Sequence, residues 1–387
     1  MAIMRVVCAP DSFKESLTAA EAADAMRRGV LLAAPAAGVD VCPIADGGEG
    51  TVAAMLAATG GEAMMTRVDG PLGDPVDATW GMLGNADATT AVIEMAAASG
   101  LPLVPVDQRD PTRTSTRGTG QLIKAALDAG ARRIIVGIGG SATNDGGAGM
   151  AQALGVRFID ASGNAITQPM TGGLLSRVAR IEVSCIDPRV ANAQITAACD
   201  VTNPLTGPRG AAAVYGPQKG ATPEQVKMLD DGLSHLAHLL RKQLGVDVQQ
   251  LPGAGAAGGL GGGLVAFVGA ALKPGIDLVL DAIDFSNRVA GASLCLTGEG
   301  RLDGQSLSGK ACLGVAQRAG AAGVPTIALV GSVGDDADRT LGAGLASYHA
   351  IGQGLPVDES MRRAAELLER ATARVVADFV STGVAPR

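Results

Sequence analysis

A two-lobed α/β protein, with one lobe assembled from both ends of the chain and the other inserted between them, is the fold class this sequence predicts. Three observations carry that expectation. The opening stretch repeats strand, polar loop and helix twice, the pattern of a parallel sheet. The same rhythm resumes from Leu278, and the texture between is different. The length of 387 residues is enough for two ordinary cores.

Val6–Ala9 reads as a short buried strand, followed by a turn at Pro10-Asp11-Ser12-Phe13-Lys14. Thr18 with Glu21 forms a capping-box pattern, so a helix is expected over Thr18–Leu32. Gly38–Ile44 returns to β character and ends in Ala45-Asp46-Gly47-Gly48-Glu49-Gly50 before a helix at Thr51–Ala58. Val68–Gly84 is rich in Asp, Gly and Pro and gives no clean rhythm. A helix at Thr119–Ala129 then feeds a strand at Arg133–Ile138, and further strands are expected around Val156–Ile159 and Ile195–Cys199. Glu224–Leu244 reads as a long amphipathic helix; His235 and His238 share a face of it, but no third ligand is in register, so packing or surface histidines are expected. The last part gives a strand at Ala292–Thr297, a helix at Lys310–Ala319, a strand at Thr326–Val330 and a final helix over Glu359–Val380.

Composition excludes several function classes. Aromatic residues are only 2% of the chain against 47% hydrophobic, so recognition of nucleic acid or carbohydrate by stacked rings is not expected. A net charge of −7 argues against a broad nucleic-acid surface, though a locally positive pocket could still take an anion. The six cysteines are scattered, which suits buried free thiols and a cytoplasmic protein. No signal-peptide pattern is read at the N-terminus, and the apolar run Gly253–Leu272 is too rich in glycine to be read as a membrane span.

Two loops imitate nucleotide motifs. Gly137-Ile138-Gly139-Gly140-Ser141-Ala142 follows a strand with dinucleotide-fold spacing, and Asp160 stands near where a ribose-binding acid would fall. However, Thr143-Asn144-Asp145-Gly146-Gly147 interrupts the helix such a fold requires, so a loop offering N–H groups and hydroxyls to phosphate fits better. Gly304 to Lys310 has P-loop spacing, but Ala311 replaces the hydroxyl that would hold magnesium. The remaining polar clusters, Asp11/Ser12/Lys14, Asp46/Glu49, Asp200/Asn203 and Glu299/Arg301/Asp303/Lys310, all lie just past strands, where α/β enzymes assemble sites. Several carboxylates with a few cations are the components of phosphoryl transfer.

Through these stretches the chain resembles the bacterial glycerate 2-kinase family, the group without a Walker loop. The matching segments are Ala9–Thr18, Pro43–Thr51, Gly137–Gly149, Ala198–Leu205 and Thr297–Asp303. The resemblance implies ATP-dependent phosphorylation of D-glycerate, with Mg²⁺, in glyoxylate or sugar-acid catabolism. It also implies a discontinuous flavodoxin-like parallel-sheet domain, residues 1–75 and 288–387, with an inserted α/β domain resembling a restriction-endonuclease core at 76–287. A monomer or homodimer acting on a small hydroxy acid, without nucleic-acid or membrane partners, is expected.

Chemistry and resemblance together assign roles. A secondary hydroxyl needs a carboxylate to orient it and take its proton, for which Asp200 is the first choice and Asp46 the second. Lys14 is a further catalytic candidate, and Lys14, Ser12, Arg67 and Asp69 are candidates for the substrate. Gly139, Gly140, Ser141, Asn144, Asp145 and Lys310 are expected at ATP, and Glu299 and Asp303 at the metal. The rival readings are a kinase for another short hydroxy or sugar acid, an NAD-dependent dehydrogenase, and a non-catalytic sensor of a small acid.

Overall fold

The computed structural model describes residues 3–84, 89–307 and 311–383. They divide into two compact units. One comprises the chain to Asp46 together with Ala53–Gly61 and the chain from Ile276; the other comprises Gly47–Val52 and Glu62–Gly275.

Among the described residues the strands, in chain order, are β1 (Arg5–Cys8), β2 (Gly38–Val41), β3 (Glu62–Asp69), β4 (Pro75–Met82), β5 (Thr90–Glu94), β6 (Arg133–Gly137), β7 (Arg157–Asp160), β8 (Val178–Glu182), β9 (Gln194–Ala198), β10 (Ala271–Lys273), β11 (Leu294–Thr297), β12 (Arg301–Leu302), β13 (Thr326–Val330), β14 (Ser332–Val333) and β15 (Ser347–Ala350).

The first unit is built on a five-stranded sheet of order β15-β13-β11-β1-β2, parallel throughout. Counted within the unit this is the order 5-4-3-1-2, the flavodoxin-like winding read from the other edge. Val6, Leu294 and Ile327 are fully buried, as a sheet covered on both faces requires. The helix Ala19–Ala33 starts at the Thr18 capping box, in which Thr18 N–H donates to Glu21 Oε2 at 2.9 Å and Glu21 N–H donates to Thr18 Oγ1 at 3.2 Å. It packs on the helix Ala364–Thr382 so closely that a Cβ on Gly29 would stand 2.4 Å from the Glu369 carbonyl oxygen.

The second unit carries a mixed six-stranded sheet of order β10-β9-β6-β5-β4-β3, parallel from β10 to β5 and antiparallel at β4 and β3. Its core gathers Trp80, Ile93, Leu122, Val136, Phe158 and Leu233.

Three sequence expectations change. Val68–Gly84, read as without clean rhythm, falls largely in a β-hairpin over Glu62–Met82: the Gly70–Asp74 turn joins strands whose Met, Thr and Ala residues give weak alternation, and only Val68, Ala78 and Trp80 supply a buried face. Because β3 belongs to the six-stranded sheet, residues 62–75 are part of the second unit, although the expected boundary lies at 75. The helix expected over Glu359–Val380 is two helices, Val357–Arg362 and Ala364–Thr382, broken at Arg363 with φ −106° and ψ 13°. Arg363 pairs with Glu359 and Glu366 across the break, so the guanidinium bridges the two segments.

No helix among the described residues is long and apolar enough to cross a membrane. Cys8, Cys42, Cys295 and Cys312 are buried free thiols as expected, whereas Cys185 is exposed.

Candidate active site

In the first unit, consecutive connections leave the sheet in opposite directions at the boundary between β1 and β11, where an open parallel sheet forms a crevice outside its carboxyl ends. Asp11 follows β1 and Glu299 follows β11. Thr297 Oγ1 donates to the Ala9 carbonyl at 2.8 Å and Asp11 N–H donates to the Gly298 carbonyl at 2.9 Å, tying the two strand ends together. On its other side Gly298 leaves room for β13: a Cβ there would lie 2.2 Å from the Leu329 carbonyl oxygen. The following turn is pinned by the Phe13–Leu17 bridge and holds Glu15 at φ +64°, a conformation costly for a residue with a side chain.

A cavity of about 500 Å³ opens on this crevice. Its polar end is lined by Asp11, Ser12, Lys14, Asp46, Glu299 and Arg301. Burial, then the charge of Asp46, pushes the Asp11 carboxyl up to about 7; Glu299 adds to the rise and the Ser12 N–H, donating to Oδ1 at 2.6 Å, offsets part of it. Glu299 is buried and accepts from Ser306 Oγ at 2.8 Å. Arg301 donates through Nε to Asp303 Oδ2 at 3.1 Å, on the short β12–β14 ladder that extends past the sheet. Lys14 is exposed and has no ion-pair partner among the described residues, so its ammonium is available to an anion. Lys310 lies outside the described residues.

The remaining candidates belong to the second unit. The loop after β6 is organised around Asp145, whose fully buried carboxylate accepts from Thr116 N–H and Oγ1, both at 2.8 Å, and from Gly147 and Gly149 N–H, both at 3.1 Å. Burial raises its pKa against the pull of those donors. Gly146 and Gly147 both take positive φ, which lets two successive backbone turns wrap the carboxylate. Lys219 is buried under the same loop and donates to the Thr143 carbonyl at 2.6 Å and Ser141 Oγ at 3.3 Å; burial pushes its amine down to about 7 despite the Asp145 charge. Ser141 and Asn144 are buried too, so only Gly139 and Gly140 of this group are exposed. Asp145 is thus a loop organiser with its oxygens occupied, which differs from the phosphate contact expected of it.

Asp200 is exposed just past β9, with Oδ1 accepting from Gly275 N–H at 2.9 Å. Arg67 and Asp69 lie on β3. Arg67 is exposed and 3.9 Å from Asp77, whereas Asp69 accepts from Arg117 Nε at 2.8 Å and from Gln121 Nε2 at 3.2 Å.

Of the two nucleotide-motif imitations, the second reaches outside the described residues at 308–310; around the rest, polar side chains are committed to local structure. Asp160 accepts from Ser162 and Asn164 N–H, both at 2.9 Å, and so caps a turn. Ser306 is committed to Glu299, and His235 packs with Nε2 2.6 Å from the Val178 carbonyl. Sequence reasoning passed over Asp11 and Arg301 as site residues although it named both, because their importance comes from what strand order brings beside them. Lys219 carried no signal; Gly-Pro-Gln-Lys-Gly reads as an exposed turn.

The donor set at the polar end is all oxygen, which suits a hard cation. No three His, Cys, Asp or Glu side chains among the described residues are grouped to hold a metal by themselves. That is compatible with magnesium, which is commonly held by one or two carboxylates plus substrate phosphates and water.

Comparison with known proteins places these features. The pattern of the glycerate kinase family matches residues 6–380. A glycerate kinase of Bacillus subtilis (strain 168) is 53% identical over 375 residues, 97% of each chain. The glycerate 2-kinase of Escherichia coli (strain K12) is 48% identical, again over 97% of each. A crystal structure from Salmonella typhimurium LT2, of a protein provisionally named glycerate kinase 2, superposes with a TM-score of 0.90 at 47% identity, covering 99% of this chain and 100% of that one. With a family match over nearly its whole length and relatives about half identical across it, this chain belongs to the glycerate kinase family.

Proposed function

We propose that the protein transfers the γ-phosphoryl group of ATP to the 2-hydroxyl of D-glycerate, giving 2-phosphoglycerate and ADP. Family membership supports the reaction, and one observation carries the site: Asp11, Asp46 and Glu299 meet Lys14 and Arg301 in one cavity at the switch point of the parallel sheet. Asp11 has a proton affinity near neutral, which suits a group that must take a hydroxyl proton at physiological pH. Asp46 beside it raises that affinity and offers a second acceptor. Asp200 is the competing base, oriented at a strand end by the Gly275 N–H. Lys14 and Ser12 bind and orient the substrate carboxylate.

When bound, Mg²⁺ supplies charge neutralisation on the phosphate oxygens. Glu299 is the residue placed to hold it, with Asp303 contributing only if its pairing with Arg301 is exchanged. The enzyme is cytoplasmic on this reading.

The direct test is to incubate the protein with ATP, Mg²⁺ and D-glycerate and follow the product by phosphorus NMR. Glycerate-dependent formation of 2-phosphoglycerate is expected; product that is exclusively the 3-isomer overturns the regiochemistry, and NADH formed from NAD and glycerate would restore the dehydrogenase. Lys14→Met removes a charge-assisted donor while keeping much of the chain length, so kcat/KM for glycerate should fall at least about tenfold with an unchanged melt. Activity within about twofold of the parent would return Lys14 to the solvated surface.

A further inference from the structure

The cavity at the β1–β11 crevice has a second half that a small acid cannot use. Besides its polar residues it is lined by Phe13, Ile351, Leu355, Val357, Met361 and Ala364. Ile351 and Ala364 are buried, while Val357 is 72% exposed and therefore open to a ligand. Val357, Met361 and Ala364, spaced i, i+4, i+7 across the two helices that meet at Arg363, all line this one cavity. Glycerate is a three-carbon acid with a hydroxyl or carboxyl on each carbon, so it offers almost nothing for aliphatic side chains to desolvate.

The phosphoryl donor does. A nucleoside triphosphate joins a flat base with apolar faces to a polyanionic chain, and the cavity's lining likewise combines aliphatic side chains with the cation Arg301. A volume of about 500 Å³ is in the range of small-molecule and cofactor sites. We infer that the aliphatic wall formed by Ile351, Leu355, Val357, Met361 and Ala364 is the nucleoside pocket of the first unit, gripping the purine of ATP by aliphatic contact and directing its phosphates toward Arg301. The inference rests on the kinase reading for its ligand and departs from the sequence expectation that the loop after β6 provides the ATP site. That loop has turned its hydroxyl, amide and carboxylate side chains inward. Phe13 is the only ring among the described lining residues, so on this proposal the base is held between aliphatic side chains instead of stacked.

Photolabelling with 8-azido-ATP and Mg²⁺, in the absence of glycerate, tests the placement. Label within residues 351–364 or 12–16, protected by excess ATP, is the expected result; protected label confined to residues 137–149 overturns the proposal. The second arm is kinetic. Leu355→Asp and Val357→Asp put a carboxylate where the base would lie, and KM for ATP should rise at least about tenfold while KM for glycerate stays within about twofold. Val357 is too exposed for its replacement to threaten folding, so an unaltered KM for ATP in that variant and in Leu355→Asp would refute the pocket. Labelling needs no acceptor. Protected label at 351–364 in a protein that fails to phosphorylate glycerate therefore upholds the nucleotide site and discards the kinase assignment, whereas activity with label elsewhere does the reverse.

Discussion

Asp11→Asn should reduce kcat by about 10²–10⁴, the usual worth of a proton-transfer group, while leaving KM for ATP within a few-fold. The amide keeps the shape of the side chain but cannot accept the substrate proton. In the parent, kcat/KM for glycerate should rise with pH through about 7, because the base works only after losing its own proton. Stability should move the other way. A carboxyl whose folded pKa is raised contributes stability that is full below the unfolded value of 3.8 and is lost as pH climbs through about 7. The Asn variant escapes that loss, so it should melt higher than the parent at pH 8, with the gap closing toward pH 4. Asp46→Asn should weaken activity and bring the pH profile of the parent downward, since its charge helps to raise Asp11. If Asp200→Asn is nearly inactive while Asp11→Asn keeps more than about a tenth of parental kcat, the proton passes to Asp200 and the first unit's cavity loses its base.

The largest effect on folding is expected at Asp145. Asp145→Ala deletes an acceptor that satisfies the Thr116, Gly147 and Gly149 N–H groups and the Thr116 hydroxyl, all inside the protein. It also removes the negative charge that favours a proton on buried Lys219. Breaking such a buried arrangement from one side costs about 3–5 kcal/mol, a large share of a domain's net stability. Urea unfolding monitored by circular dichroism should show the loss, and Asp145→Asn, which retains one acceptor oxygen, should lose less. Equal stability of Asp145→Ala and the parent would mean that solvent reaches the loop and that its inward order is not what supports it.

Local features of the fold were legible because they are written in adjacent residues. Thr18 and Glu21 announce a helix start without reference to anything else in the chain, and Thr326–Val330 is five buried apolar or hydroxyl residues in a row. The β3–β4 hairpin was not legible, since a strand running Glu-Ala-Met-Met-Thr-Arg-Val-Asp has little contrast between faces. The site divides in the same way. Lys14, Asp46 and Glu299 could be proposed from polar residues after apolar runs, but the rank of Asp11 depends on Asp46 and Glu299, which arrive through strand order. The inward bonding of Asp145 has no sequence signature for a general reason: a polar, glycine-rich loop looks the same in sequence whether its groups face a ligand or each other. The aliphatic wall from Ile351 to Ala364 was hidden because such residues at helical spacing ordinarily mean core.

One feature of the first unit governs how the protein is made. β1 pairs on one side with β2, Val6 opposite Val39, and on the other with β11, Val6 opposite Leu294. The helix Ala19–Ala33 likewise awaits the partner that carries Glu369 and Thr372. A ribosome adding about 5–20 residues per second needs roughly ten to fifty seconds to travel from β2 to β11. Throughout that interval the nascent amino-terminal segment has only β1, β2 and the helix Ala19–Ala33 to bury Val6, Met26 and Val30 against, while residues 62–275 contain all six strands of their own sheet and can settle first. Translation speed between those points therefore bears on the yield of folded protein.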